Sequence, residues 1–354
     1  MNKHLMKKSV TAALVAGGLL GLATQPAQAD GILFPYLSTQ TNVYSFVTVV
    51  NDAVGSAPEY HFTYAHKSVP VANTGNCNHF DGDVRSTAND MMTFEAGGKL
   101  LNTLGGRALF EEAGDAGGFG SGGLTSTPIA LNVANQIAFL AVEDSSDTTG
   151  AVNLFGWAEV IDTGANLSLA YTTHNFVDEG AAYTGTRADF SNLSSGAVVM
   201  SWYPTSNVSS SWHVLNLGPV TSMAPASGSS LRRGYGASGT SSNSTNGGAY
   251  DRDELFWSGS KTARIRCFGF VGISDLLSSG VVAQVANGGW TYLVGANAGS
   301  APDSDANDPA GNYGTAGTTY LVHKIQTALS ATGLNPRQTV NREPSKAAGG
   351  LTEG

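Results

Sequence analysis

Asp303, Asp305 and Asn307 stand at alternate positions in a stretch rich in Asp, Asn, Gly and Ala, the way a calcium loop begins. The EF-hand pattern then breaks. Its sixth position is Asp308 where Gly is needed, and its twelfth is Gly314 where the bidentate Glu belongs. Two readings remain, a looser loop holding a structural calcium ion and a solvated acidic loop. His79, Asp81 and Asp83 follow Cys77 at alternate positions. In an extended segment they would share one side, as ligands for a divalent metal would. His61 and His66 are five apart and cannot share a strand face.

Hydrolytic chemistry has weaker support. The chain lacks a G-x-S-x-G nucleophile elbow and an H-E-x-x-H pair. Glu143 with Asp144, and Asp251 with Asp253 and Glu254, could supply paired carboxylates for glycoside cleavage if the fold set them face to face. As turn acids they need no such role. Tyr235, Tyr250, Phe256 and Trp257 lie in or beside a long polar stretch and form a candidate cluster for stacking on a glycan or docking a protein partner. The alternative is an aromatic plug closing one end of the fold. Trp157, Trp202, Trp212 and Trp290 fall inside strand signals and are expected in the core.

Cys77 and Cys267 are the two cysteines. Neither has redox or zinc spacing, and in an oxidising compartment an even count reads as one disulfide. That compartment is indicated by the first 29 residues. Lys3, Lys7 and Lys8 precede an apolar run over 10–22, and Pro26-Ala27-Gln28-Ala29 offers a small-x-small cleavage site. A mature chain from Asp30 would lose three lysines and no acid, leaving 15 basic against 27 acidic residues, a net charge of −12. Such a surface disfavours nucleic acid. After residue 29 no apolar run approaches the roughly 18–20 residues of a transmembrane helix. The expected location is periplasmic, cell-surface or extracellular.

Most of the chain reads as short strands bounded by Gly, Asn, Asp, Ser or Pro. Signals fall at 43–50, 60–64, 137–142, 152–161, 167–173, 198–203, 212–217, 265–273, 281–286 and 290–294. Residues 43–50 and 60–64 read as an antiparallel hairpin. Helical spacing is confined to 99–113, interrupted by Gly105-Gly106, and to Leu321, Val322, Ile325, Ala328 and Leu329, which predict a short C-terminal helix. Three stretches, 114–126, 227–248 and 299–317, read as long loops. Residues 335–354 read as a disordered tail.

An internal echo links Asn42–Asn51 with Asn207–Asn216 through the shared form N-V-x-S-x-x-x-V-[VL]-N. The offset of 165 residues is close to half of the mature chain. It fits a duplicated sandwich, and it fits chance alignment of strand residues. The pattern of strand, V-x-N, polar turn and strand over 45–64 resembles the opening hairpin of bacterial secreted Ig-like β-sandwich modules. That resemblance implies fold class alone. The expected architecture is therefore all-β, an antiparallel β-sandwich or two fused sandwiches, over 30–334 with a subdivision near 190. The expected function is a secreted envelope or cell-surface structural or binding protein without catalysis. A carbohydrate-active hydrolase and an outer-membrane β-barrel are the alternatives. The apolar segment 31–37 has two readings, pairing within its own sheet and strand donation to the sheet edge of a neighbouring copy.

Overall fold

The computed structural model describes residues 31–51, 59–85, 90–100, 129–144, 154–176, 197–216, 222–225, 247–261, 263–296, 320–328, 338–342 and 345–346. Their strands form four antiparallel sheets. Sheet I has the order β5(Asp90–Glu95), β2(Val43–Asn51), β7(Leu154–Asp162), β8(Leu167–Thr172). Sheet II has the order β4(Asn78–Arg85), β3(Glu59–Ser68), β6(Gln136–Asp144), β1(Gly31–Ser38), β9(His174–Phe176). Sheet III runs β16(Phe268–Val271), β11(Val208–Asn216), β18(Tyr320–Ala328), β19(Gln338–Arg342). Sheet IV runs β14(Phe256–Ser258), β13(Gly248–Asp251), β17(Gly289–Ala296), β10(Ala197–Trp202), β20(Ser345–Lys346). In sheet IV, β12(Ser222–Pro225) also pairs with β17 and with β15(Ala263–Arg264). Among the described residues no sheet closes into a barrel.

Sheet II packs on sheet I by one face and on sheet III by the other, sheet III packs on sheet IV, and β8 of sheet I meets β19 of sheet III at their edges, because strand alternation gives each inner sheet two apolar faces. Ile32, Phe34, Phe62 and Leu140 of sheet II meet Val47, Val49, Phe94 and Ala158 of sheet I. The opposite face of sheet II carries Leu33, Ala65, Phe139 and Ala141, which meet Leu215, Phe268 and Leu321 of sheet III. Trp212, Val214 and Val322 on the far face of sheet III meet Val198, Met200, Trp202 and Leu293 of sheet IV. One close approach within the first sandwich depends on glycine. A Cβ at Gly156 would stand 2.6 Å from the carbonyl oxygen of Thr48 and 2.8 Å from the Phe34 ring.

Strand pairing repeats. β1 pairs with β6 and β9, β2 with β5 and β7, β3 with β4 and β6, and β7 with β8. In the second half β10 pairs with β17 and β20, β11 with β16 and β18, β12 with β15 and β17, and β18 with β19. This is the same plan, with the β13–β14 hairpin inserted. Register repeats too: Val43↔Asp162 through Asn51↔Leu154 corresponds to Val208↔Ala328 through Asn216↔Tyr320. The echoed decapeptides are the approach to, and the whole of, β2 and β11.

Several local expectations are corrected. β2 and β3 are not a hairpin: the chain crosses from sheet I to sheet II between them. Residues 320–328 are a strand and not a C-terminal helix. Ser279–Gln284 is a helical turn, α2, following another, α1(Ile273–Leu276), where 281–286 predicts a strand. The strand expected over 265–273 is confined to β16. Within the tail, β19 and β20 pair with β18 and β10. The helix expected over 99–113 lies almost wholly outside the described residues.

Candidate binding surface

β4 is extended, so positions 79, 81 and 83 fall on one face, paired with Ala65, Thr63 and His61. His79 is exposed. Among the described residues no group of three or more His, Cys, Asp or Glu is arranged to hold a metal ion. Asp303, Asp305, Asn307 and Tyr235 lie outside the described residues. His61 and His66 take opposite faces: His61 pairs in register with Glu143, and His66 Nδ1 lies 3.0 Å from Gln136 Oε1.

The candidate carboxylates are placed in structural settings. Glu143 is buried in β6 beside His61. Asp251 ends β13 and accepts hydrogen bonds from the backbone N–H groups of Asp253 and Leu255 and from Trp257 Nε1 at 2.9 Å. The indole bond leads the effects that hold its carboxyl below the ordinary range. Tyr250 is buried, stacked on Trp290 with centroids 4.4 Å apart and packed on Phe256 at 5.1 Å. Trp257 is half-buried against the core between sheets III and IV. Three of the four aromatics thus belong to the inserted hairpin and its support.

The seam between the halves is polar at its rim and was not legible from local spacing. The 69–77 loop of the first half grips the start of β16. The buried Lys67 donates to the carbonyls of Ala72, Arg266 and Phe268 at 3.0, 2.7 and 2.7 Å. The Asn73 amide donates to the Phe270 carbonyl and accepts from the Phe270 N–H. Cys77 and Cys267 are bonded, with Cα atoms 6.0 Å apart. Cys267 is fully buried as its alternation predicts, but it sits in a bend with φ 59°, just before β16. His174 of sheet II and His323 of sheet III approach Nε2 to Nε2 at 2.7 Å. His213 pairs with His323 in register and is buried against the Tyr36, Phe268 and Phe270 rings. Its ring nitrogens have no hydrogen-bond partner among the described residues. Burial, reinforced by the Lys67 charge, holds its pKa down to about 3.

The outer face of sheet I carries exposed apolar side chains. Along β7 the burial alternates strictly, and Phe155, Trp157 and Glu159 point outward. Trp157 is 41% exposed, Phe155 36% and Met91 43%. Val50 stands between Met91 and Phe155 in register, and Thr48 between Thr93 and Trp157. Phe46 continues the apolar face beside Glu159. The expectation that Trp157 and Trp290 are core residues is corrected, Trp290 being half-buried and stacked on Tyr250 outside the core clusters, whereas Trp202 and Trp212 are in the core. The clue was Glu159, which shares Trp157's side of the strand and has no place in a dry core.

The segment 31–37 pairs within its own sheet, held in sheet II between β6 and β9, and Ile32, Leu33 and Phe34 are fully buried. Among the described residues no helix is long and apolar enough to cross a membrane. Comparison with family models, characterised proteins and solved structures gave no match.

Proposed function

We propose that the chain is exported and serves as an envelope or cell-surface structural or binding protein, working without catalysis through the outer face of sheet I. The observation that carries this reading is the exposure of Met91, Phe155 and Trp157 on one sheet face. Single exposed apolar residues are ordinary, but neighbouring exposed apolar side chains on one face cost solubility and are a mark of interaction sites. The disulfide fits an oxidising compartment.

The test is retention of the purified mature protein on isolated cell envelopes, with Trp157→Lys as the variant and a polysaccharide turnover screen in parallel. The expected result is retention that Trp157→Lys lowers by about tenfold or more, a loss of roughly 1.4 kcal/mol or more. Turnover abolished by Glu143→Gln or Asp251→Asn would contradict the reading and favour the carbohydrate hydrolase.

A further inference from the structure

We infer that His174 and His323 form a proton-sensitive latch on one edge of the seam, so that in acid the two halves part there while the disulfide keeps the opposite edge joined.

The seam is fastened differently at its two edges. β4 and β9 are the edge strands of sheet II. On the β4 side Cys77 is bonded to Cys267, just before β16, and Lys67 and Asn73 bind the backbone of Arg266, Phe268 and Phe270. On the β9 side His174 and His323 meet Nε2 to Nε2 at 2.7 Å, with ring centroids 4.9 Å apart. β8, which leads into β9, meets β19 at this edge. A disulfide is indifferent to mild acid. Two imidazoles are not.

A hydrogen bond between two ring nitrogens holds one proton and one lone pair. In the neutral pair one imidazole carries its proton on Nε2 and donates. The other carries its proton on Nδ1 and accepts through Nε2. A first added proton goes to Nδ1 of the donor ring, which keeps the bond and makes it charge-assisted. A second can enter only at Nε2 of the acceptor. Two N–H groups on two cations then face each other, and the bond becomes a repulsion. The rings titrate as a pair.

The strand rows around the pair do not favour that second charge. His323 stands in register between His213 and Arg342, and His174 in register with Leu33. Burial, and then the Lys67 charge from β3, keep His213 neutral in mild acid. Tyr36 of β1 packs on His213, its pKa pushed up to about 12 by burial and by the Asp162 charge. Tyr171 of β8, also raised by burial, donates to the Tyr36 carbonyl. Glu143 of β6 lies two strands from β9, in register with His61 and Gly31. Lys324 turns to the other side of β18 and donates to Ser201. A doubly charged pair is therefore relieved by moving apart into water. Parting there uncovers Leu33 and Leu321, which are buried at the seam.

The experiment is hydroxyl-radical footprinting of the oxidised mature protein at neutral pH and at about pH 5. Leu33 and Leu321 should label about tenfold or more faster at the lower pH, one linked proton being worth a factor of about ten per pH unit. Phe139 and Phe268, toward the disulfide, should stay protected. His174→Gln keeps a hydrogen-bonding group that does not titrate, and should abolish the acid labelling. His213→Leu should leave it in place. A second readout needs no variant. Imidazole nitrogen chemical shifts should show one of the two Nε2 atoms protonated and the other bare at neutral pH, and both protonated where labelling rises. Acid labelling that persists in His174→Gln would overturn the latch. So would equal labelling at both edges, or two Nε2 atoms in the same state at neutral pH.

Discussion

His213 stands where the first half has Thr48, and its neighbours are rings: Tyr36 at 5.6 Å, Phe268 at 5.4 Å and Phe270 stacked at 4.7 Å. Lys67 is the charge that lowers its pKa further, and His323 is its cross-strand neighbour. In the unfolded chain this imidazole takes a proton near pH 6.5, but in the fold its pKa is held at about 3. Between those values the unfolded chain binds one more proton. The stability contribution is therefore complete above about pH 6.5 and falls as pH drops toward 3. At about pH 5 the expected loss is about 2 kcal/mol. Urea unfolding at neutral pH and at about pH 5 measures it. His213→Leu should flatten the decline, and an unchanged slope would count against this burial. Single residues were unevenly legible. The Cys77–Cys267 bond followed from number and compartment, and Cys267's burial from alternation. Trp157 reads as core because aromatics favour strands, whereas the face it shares with Glu159 points to solvent.

Strands with one wet face were easiest to read. β7 and β8 alternate, and their spans lie close to the sequence signals. Elements buried on both sides were hardest. β18 carries Leu321 and Ile325 toward the seam and Val322 toward the outer sandwich, so its apolar residues lose the period of two and mimic a helix. The opposite error befell α2, whose β-branched Val281 and Val282 suggest a strand. Val281 and Val285, four apart, are both buried, as one face of a helical turn requires. The 69–77 loop was invisible as a clamp, because its partners lie about 200 residues away. Lys67→Met should leave the carbonyls of Ala72, Arg266 and Phe268 without that donor, at a cost of about 3 kcal/mol. Hydrogen exchange should show the loss concentrated in 265–270 and the first sandwich spared. A loss spread evenly over both halves would contradict a local clamp.

At the scale of the whole molecule, the all-β architecture was legible from turn density and strand punctuation. The repeat surfaced in sequence as one decapeptide echo. Pairing order and register carry the rest of it, and these are set by which faces must be buried rather than by residue identity. Each half closes a core of its own, between sheets I and II and between sheets III and IV. The third core joins them, and the disulfide and Lys67 reinforce it. The unmatched feature is the aromatic face of sheet I, and the account stands or falls on that face being covered where the protein works. Oxidative footprinting of Met91 and Trp157 tests this most directly, comparing the protein in place on intact cells with the same protein released as a monomer. Both side chains are expected to be modified in the released protein and protected in place. Equal modification in the two states would contradict it.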